Sequence, residues 1–506
     1  MCQLDVLQRL KCDRSIVTNT LKSLPKTLDE TYERLFLSIP REEWPYVHCT
    51  LQWIHHHNEL YDGQGIPCAI LLDAIHSTVE SVGNTKSDRF LDVDTLRELC
   101  GCLISVNEED REFYGPTNEG WYPLTVFAVS IAHYTVLEYL ESARISQGPS
   151  AHFAISTQAV GLELAERTLL HAQNLRLKED WKTSQGLLEV NIQRGLMSDF
   201  ALYCATSSIL YVLLRDDDIC ASKRLFNLTK EFFHPLKPHF NDMALVKTTI
   251  NRFTDTFDNA SVYAKFFNVG SWPSQTAPDT HIFFCFLLLG VIEKEIPPLA
   301  KKMLEEGDVK DLLVSRLTLT VAAGPFRADT VPKGTPEVYE FEGTILELFA
   351  QFPGAWPFQP LLDYALEYVD PSRILILHMA SHYHQDCNDA CTLEKLLHTG
   401  ANANIKGYRV MPLQIATLCL DFDGAKMLLE AGADPNNTGD ANGVQWSATS
   451  ILCRFNFLHK LSPLYICRNP ESIIKLGQFK YPRIADDAPV LRNIESLLIQ
   501  YGADEI

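Results

Sequence analysis

Leu396-Leu397-His398-Thr399-Gly400-Ala401-Asn402-Ala403-Asn404 decides the fold, because it recurs as Leu428-Leu429-Glu430-Ala431-Gly432-Ala433-Asp434-Pro435-Asn436. The two glycines lie 32 positions apart, and self-similarity at such a period marks a stacked repeat architecture. A third copy reads Leu497-Leu498-Ile499-Gln500-Tyr501-Gly502-Ala503-Asp504. Each copy carries the same physics. A helix ends in a leucine pair, and the glycine after it takes the left-handed cap that other residues resist. Units of this size hide their apolar sides only by leaning on one another in series.

Upstream of these copies lies the other half of the unit. Met411-Pro412-Leu413-Gln414-Ile415-Ala416 precedes the second copy, and Ser462-Pro463-Leu464-Tyr465-Ile466-Cys467 precedes the third. Each opens on a proline, whose missing amide costs nothing in the first helical turn. The first copy leaves two frames open: Leu377-His378-Met379-Ala380 at normal spacing, or Pro360-Leu361-Leu362-Asp363-Tyr364-Ala365 with an insertion. These strings stand where the ankyrin repeat has Thr-Pro-Leu-His-x-Ala, and over about 150 residues the chain resembles that family. It departs from the pattern in about 18 extra residues within the third copy and in the irregular stretch 437–460, judged against a period of about 33. The resemblance implies a concave surface that binds another protein through turn tips and inner helices. Tyr408 and Arg409, just before the second copy, fall at a turn tip. An aromatic with an arginine suits an interface centre, although the same position also fits ordinary solvated turn residues.

At 506 residues the chain should form more than one domain, since single cores rarely grow past about 250–300 residues. Its apolar fraction of 46% and charged fraction of 21% are ordinary for a globular chain. A net charge of −20 repels phosphate backbones, so no nucleic-acid partner is expected. The first residues, Met1-Cys2-Gln3-Leu4-Asp5, lack a basic and then apolar leader. The 14 cysteines are scattered, so they are expected to be reduced thiols of a cytoplasmic protein. The longest uncharged apolar run, 282–292, falls well short of the about 20 residues a membrane span needs. It reads as a buried core helix.

Helical periodicity dominates, and a mainly α chain is expected. Thr27-Leu28-Asp29-Glu30 is a capping-box signature, followed by Leu28, Tyr32, Leu35 and Ile39 on one face. Further helices are expected over 44–57, from 66 or 67 to about 75, and over 93–102. A short strand at 103–106, an exposed loop at 107–123, a strand over 124–131 and a closing helix complete a winged-helix-like unit within roughly 24–145. The domain organisation expected is 1–145 for this unit, 146–356 for a helical spacer and 357–506 for the repeats. Within the spacer, apolar stripes mark 159–170, 200–214 and 345–352, and 303–309 reads as the end of a decayed repeat.

Two N-terminal strings carry a second resemblance. Leu24-Pro25-Lys26-Thr27-Leu28-Asp29-Glu30-Thr31-Tyr32-Glu33-Arg34 and Ala132-His133-Tyr134-Thr135-Val136-Leu137-Glu138-Tyr139-Leu140 are similar to segments that follow the nucleotide-binding domain of fungal NACHT–ankyrin proteins. Those proteins are signalling switches of the STAND class. The resemblance implies that His133 matches a histidine that senses nucleotide in the wider class. No Gly-x-x-x-x-Gly-Lys-[Ser/Thr] phosphate loop occurs here, and the nearest string, Gly83-Asn84-Thr85-Lys86-Ser87, lacks both required glycines, with Glu80 and Thr85 in their places. His133 is therefore expected to be a packed, hydrogen-bonded structural residue.

Other chemistry is thin. His382, His384, Cys387 and Cys391 match no common zinc spacing. His55-His56-His57 is read as ending a helix, where imidazoles complement its dipole, and Cys100-Gly101-Cys102 as buried thiols. The candidate recognition helix, 93–99, holds more acid than base. No catalytic, cofactor or metal residue is assigned, and no small-molecule substrate is expected. The reading is a non-enzymatic scaffold that grips a protein partner, a remnant of a STAND-type switch. Two alternatives stand beside it: the C-terminal portion of a nucleotide-dependent receptor, and a winged-helix DNA-binding regulator.

Overall fold

The computed structural model describes residues 27–61, 63–82, 91–114, 121–173, 200–234, 277–289, 296–322, 338–350, 358–381, 390–443, 451–470, 472–473 and 488–504. The chain is mainly helical, and it divides into two compact units between Phe232 and Phe233.

In the first unit, α1 (Leu28–Ser38) starts where the Thr27 hydroxyl accepts the Glu30 amide at 3.2 Å. α2 (Trp44–Leu60) runs nearly a turn past its expected end, and α3 (Cys68–Val82) is also longer than its apolar stripe suggests. Asp92 caps α4 (Val93–Cys100) by accepting the Thr95 amide at 2.8 Å. A three-stranded antiparallel sheet then forms in the order β1-β3-β2, from β1 (Ile66–Pro67), β2 (Ile104–Tyr114) and β3 (Trp121–Ile131). The β2–β3 register runs from Ile104↔Ile131 to Tyr114↔Trp121. The expected loop over 107–123 is thus largely paired strand. Charged positions did not end the strand, because Glu109 and Asp110 lie opposite Val126 and Thr125, and ladder bonds do not depend on side-chain polarity.

α5 (Tyr134–Glu141) and α6 (Ala143–Gln147) follow, and Phe36 packs its ring 4.7 Å from that of Phe153 and 6.1 Å from that of Tyr139. α7 (Thr157–Ala172) lies on α2, and α8 (Phe200–Leu214) lies on α7. α9 (Asp216–Ala221) and α10 (Lys223–Phe232) close the unit. The helices between 157 and 232, expected in a separate spacer, therefore share one core with α2 and α3.

The second unit begins with α11 (Pro278–Leu289), which buries Ile282 through Leu287, followed by α12 (Pro298–Glu306) and α13 (Val309–Val314). A hairpin not foreseen in the sequence pairs β4 (Arg316–Ala322) with β5 (Val338–Thr344), and α14 (Ile345–Ala350) continues from it. α15 (Phe358–Ala365) leads to three helix pairs: α16 (Pro371–Ser381) with α17 (Ala390–His398), α18 (Pro412–Leu418) with α19 (Phe422–Glu430), and α20 (Pro463–Arg468) with α21 (Ala488–Gln500). α16, α18 and α20 touch in sequence, as do α17, α19 and α21. The result is two parallel layers of helices. α16, which contains Leu377–Ala380, is the helix that pairs with α17; α15 packs elsewhere, on α14 and α13. Among the described residues no helix is long and apolar enough to cross a membrane.

Candidate functional site

The three glycine-ended segments have one geometry. Gly400, Gly432 and Gly502 sit at φ +95°, +88° and +91°. The amide three residues past each helix end donates back to a leucine carbonyl: Ala401 to Leu396 at 3.0 Å, Ala433 to Leu428 at 2.9 Å, and Ala503 to Leu498 at 2.9 Å. This is the Schellman closure. It shows that Leu498, wholly buried, stands where Leu396 and Leu428 stand, so the third copy aligns one residue later than the Leu497-Leu498 pair suggests.

An asparagine ladder then joins each copy to the next. Asn404 donates through Nδ2 to the Gly432 carbonyl at 2.7 Å and accepts the Asp434 amide through Oδ1 at 2.8 Å. Asn436 does the same with Gly502 at 3.1 Å and Asp504 at 2.8 Å. In the layer formed by α16, α18 and α20, buried Gln414 occupies the histidine position of the repeat pattern. Its Oε1 accepts the Met411 amide at 2.7 Å, and its Nε2 donates to the carbonyls of Leu458 at 2.9 Å and Leu461 at 2.6 Å. One side chain thus ties α18 to the turn before α20.

Tyr408 and Arg409 sit beside this layer but are half-buried, not free turn tips. Segment 439–443 folds over them: Asp440 donates its amide to the Tyr408 carbonyl at 2.9 Å, and Arg409 donates through Nε to Gly443 at 3.3 Å. Gly439, at φ +80°, lies so near the Arg409 carbonyl that any Cβ would collide with it. Burial lifts the Tyr408 phenol above its usual range, and the Arg373 guanidinium opposes that shift. Arg373 itself is paired at 2.5 Å with buried Glu347. Tyr465 on α20, 48% exposed, is a further aromatic in the α16–α18–α20 layer. Its position matches Gln414 in the repeat pattern, which is the signal that could have found it.

The first unit treats its marked residues differently. His133 caps α5, accepting the Thr135 amide through Nδ1 at 3.3 Å. Thr135 in turn meets the Tyr32 hydroxyl at 2.6 Å. The residue is hydrogen-bonded as expected, but it is exposed and not packed. His55, His56 and His57 do not end their helix. They are 2%, 3% and 3% exposed, and burial lowers the pKa of His56 to about 3. The dipole explanation gives way to core packing: His57 stacks on Tyr61 with ring centroids 4.3 Å apart, and its Nδ1 meets the Tyr203 hydroxyl at 3.1 Å.

Burial pushes the Cys100 thiol up to about 12, so that thiol stays protonated near pH 7, while Cys102, expected to be buried, is half-exposed. On α4, Arg97 pairs with Asp94 at 3.2 Å, so its one basic residue is already engaged by an acid. The positions 83–87 and 382–389 lie outside the described residues, and Cys391 is exposed. Among the described residues no group of three or more metal-ligating side chains comes together.

No family model matches the chain, and no solved structure does. A stretch of 201 residues is 29% identical to a protein described as azaphilone pigments biosynthesis cluster protein L, from Monascus ruber, and covers 38% of each chain.

Proposed function

We propose that the second unit is an ankyrin-type recognition surface and that the chain is a non-catalytic scaffold, a remnant of a STAND-type switch, that holds a protein partner in the cytoplasm. The observation that carries this reading is the serial join of the copies, the asparagine ladder with its three glycine closures. Such a stack gives an extended face with inner helices and turns on one side. Tyr408, Arg409 and Tyr465 are the anchors on that face, because rigid aromatic and arginine side chains concentrate binding energy at interface centres. Holding Tyr408 by the 439–443 segment lowers the ordering entropy lost on association.

The first unit, with its helices, hairpin and capping His133, acts as a docking element in this reading, without nucleotide or nucleic acid. The similarity to a protein of a pigment-biosynthesis cluster is compatible with a scaffold, because cluster membership by name states no chemistry. The test places a photoreactive amino acid at 408, at 465 or at the outer-layer position Lys426 of the full chain, in its native cells. One protein adduct from 408 and 465 but not from 426 is expected. Adducts from 426 alone, or none from any position, overturn the proposal.

A further inference from the structure

The two helix layers of the repeats differ in what they leave open. α19 exposes Asp423, Lys426 and Glu430, the spacing of a helix with one free side. α18 has no such side: Met411 through Thr417 are all buried, as are Ile374 through Met379 of α16. A helix completes a turn in about 3.6 residues, so buried runs this long are covered all round. Neighbouring helices account for part of that cover, since α18 lies against α16, α19 and α20, and α16 against α14, α17 and α18. The rest comes from the irregular stretch between the second and third copies. Its 3₁₀ segment Ile451–Leu458 touches α16, and Gln414 of α18 donates to the Leu458 and Leu461 carbonyls. Phe455 and Leu458 are fully buried. α20 lies beyond this cover and exposes Tyr465 and Arg468.

The covering segment is built to come away. Its 3₁₀ geometry carries poorer hydrogen bonds than an α-helix and is rarely sustained over such a length. Lys460, just past it, sits at φ +73°, a backbone that side chains resist. The loop is closed at its base, where the Lys460 amide donates to the Thr438 carbonyl at 3.1 Å. The segment can therefore leave without pulling on the repeats to either side. Gln414 grips it at its carbonyl end, where a helix has unmet acceptors. Residues 451–461 hold Arg454 and Lys460 and no acid, in a chain of net charge −20.

We propose that the side of α16 and α18 beneath this segment is a groove for a short helix, that residues 451–458 fill it in the free chain, and that a protein partner displaces them with a segment of the same chemistry. That segment carries an aromatic and a leucine spaced as Phe455 and Leu458 are, with basic side chains and no acid. The proposal rests on the scaffold reading for the existence of a partner; it names what the partner presents and what it must first remove.

The test is fluorescence anisotropy of a labelled peptide of residues 449–462 in reducing buffer. In the full chain, Phe455→Asp with Leu458→Asp should expel the covering segment. That variant should bind the peptide saturably at 1:1, about tenfold or more tightly than the unaltered chain does. A peptide carrying the same two substitutions should bind neither chain. A variant with an unchanged circular dichroism spectrum that fails to bind, equal affinity for both chains, or equal binding of the substituted peptide overturns the proposal. Hydrogen exchange of the unaltered chain decides without any variant. Amides 455–458 should exchange about tenfold or more faster than those of Leu428 and Leu429; equal protection makes the segment a fixed part of the core and also overturns the proposal. Neither measurement uses the partner. Their failure leaves the adducts from 408 and 465 to decide the scaffold reading, and failed adducts do not alter the peptide result.

Discussion

Replacing Gln414 by methionine removes the polar bridge between the second and third helix pairs while nearly conserving volume. Three hydrogen bonds disappear, from the Met411 amide and to the Leu458 and Leu461 carbonyls. Met411 and Leu458 are buried, so the backbone groups left behind cannot simply turn to water. Each bond contributes roughly 1 kcal/mol net, and stranding a buried group costs about 1–3 kcal/mol. The expected loss is therefore about 3–5 kcal/mol, concentrated at one joint. In a stack whose stability is a sum of repeats and nearest-neighbour contacts, such a loss separates the last pair from the rest before global unfolding. Urea denaturation of the full chain should show a lower midpoint for the second unit. Hydrogen exchange should quicken over α20 and α21 more than over α16 and α17. A loss below about 1 kcal/mol, with unchanged exchange over α20, would refute the reasoning.

Three further outcomes follow from particular residues. Gly432→Ala, at φ +88° with open space around the new methyl, should cost about 1–2 kcal/mol from the left-handed backbone alone, read as a lower urea midpoint. Leu420, at φ +60°, is the reverse case: Leu420→Gly relieves the left-handed backbone and should raise that midpoint by a comparable amount. Burial lowers the pKa of His48 to about 4 and that of His56 to about 3, from 6.5 when unfolded. Their contribution to stability is complete above pH 6.5 and is lost as pH falls toward those lower values. The first unit should weaken by up to about 1.4 kcal/mol per pH unit for each histidine in that window, and a flat stability profile between pH 6.5 and 4.5 would contradict the assignment.

The repeat was legible because its signals are backbone requirements. A left-handed cap needs glycine and a helix start welcomes proline, so Gly432 and Pro412 announce their positions without any knowledge of neighbours. Leu498, not Leu497, takes the position of Leu396 and Leu428, because the closure counts back from Gly502 and a leucine pair alone does not fix that register. The β2–β3 arms were not legible, since Glu108, Glu109 and Asp110 carry no strand propensity and pair only because β3 lies opposite. The three histidines were read from local position alone. The partner of His57, Tyr203, lies 146 positions away in sequence, and only the fold brings it near. The same holds for Tyr408 and Arg409. The cover that makes them half-buried comes from 439–443, some thirty residues on, and no local pattern announces it.

The serial stacking itself is tested most directly by a photoreactive residue in place of Asn436, with the cross-linked peptides identified by mass spectrometry. Asn436 contacts the Gly502 carbonyl at 3.1 Å and the Asp504 amide at 2.8 Å, across 66 and 68 residues of chain. Adducts confined to the segment around 501–504 are predicted. Adducts that avoid this segment and fall elsewhere in the chain would contradict a stack in which each copy leans on the next.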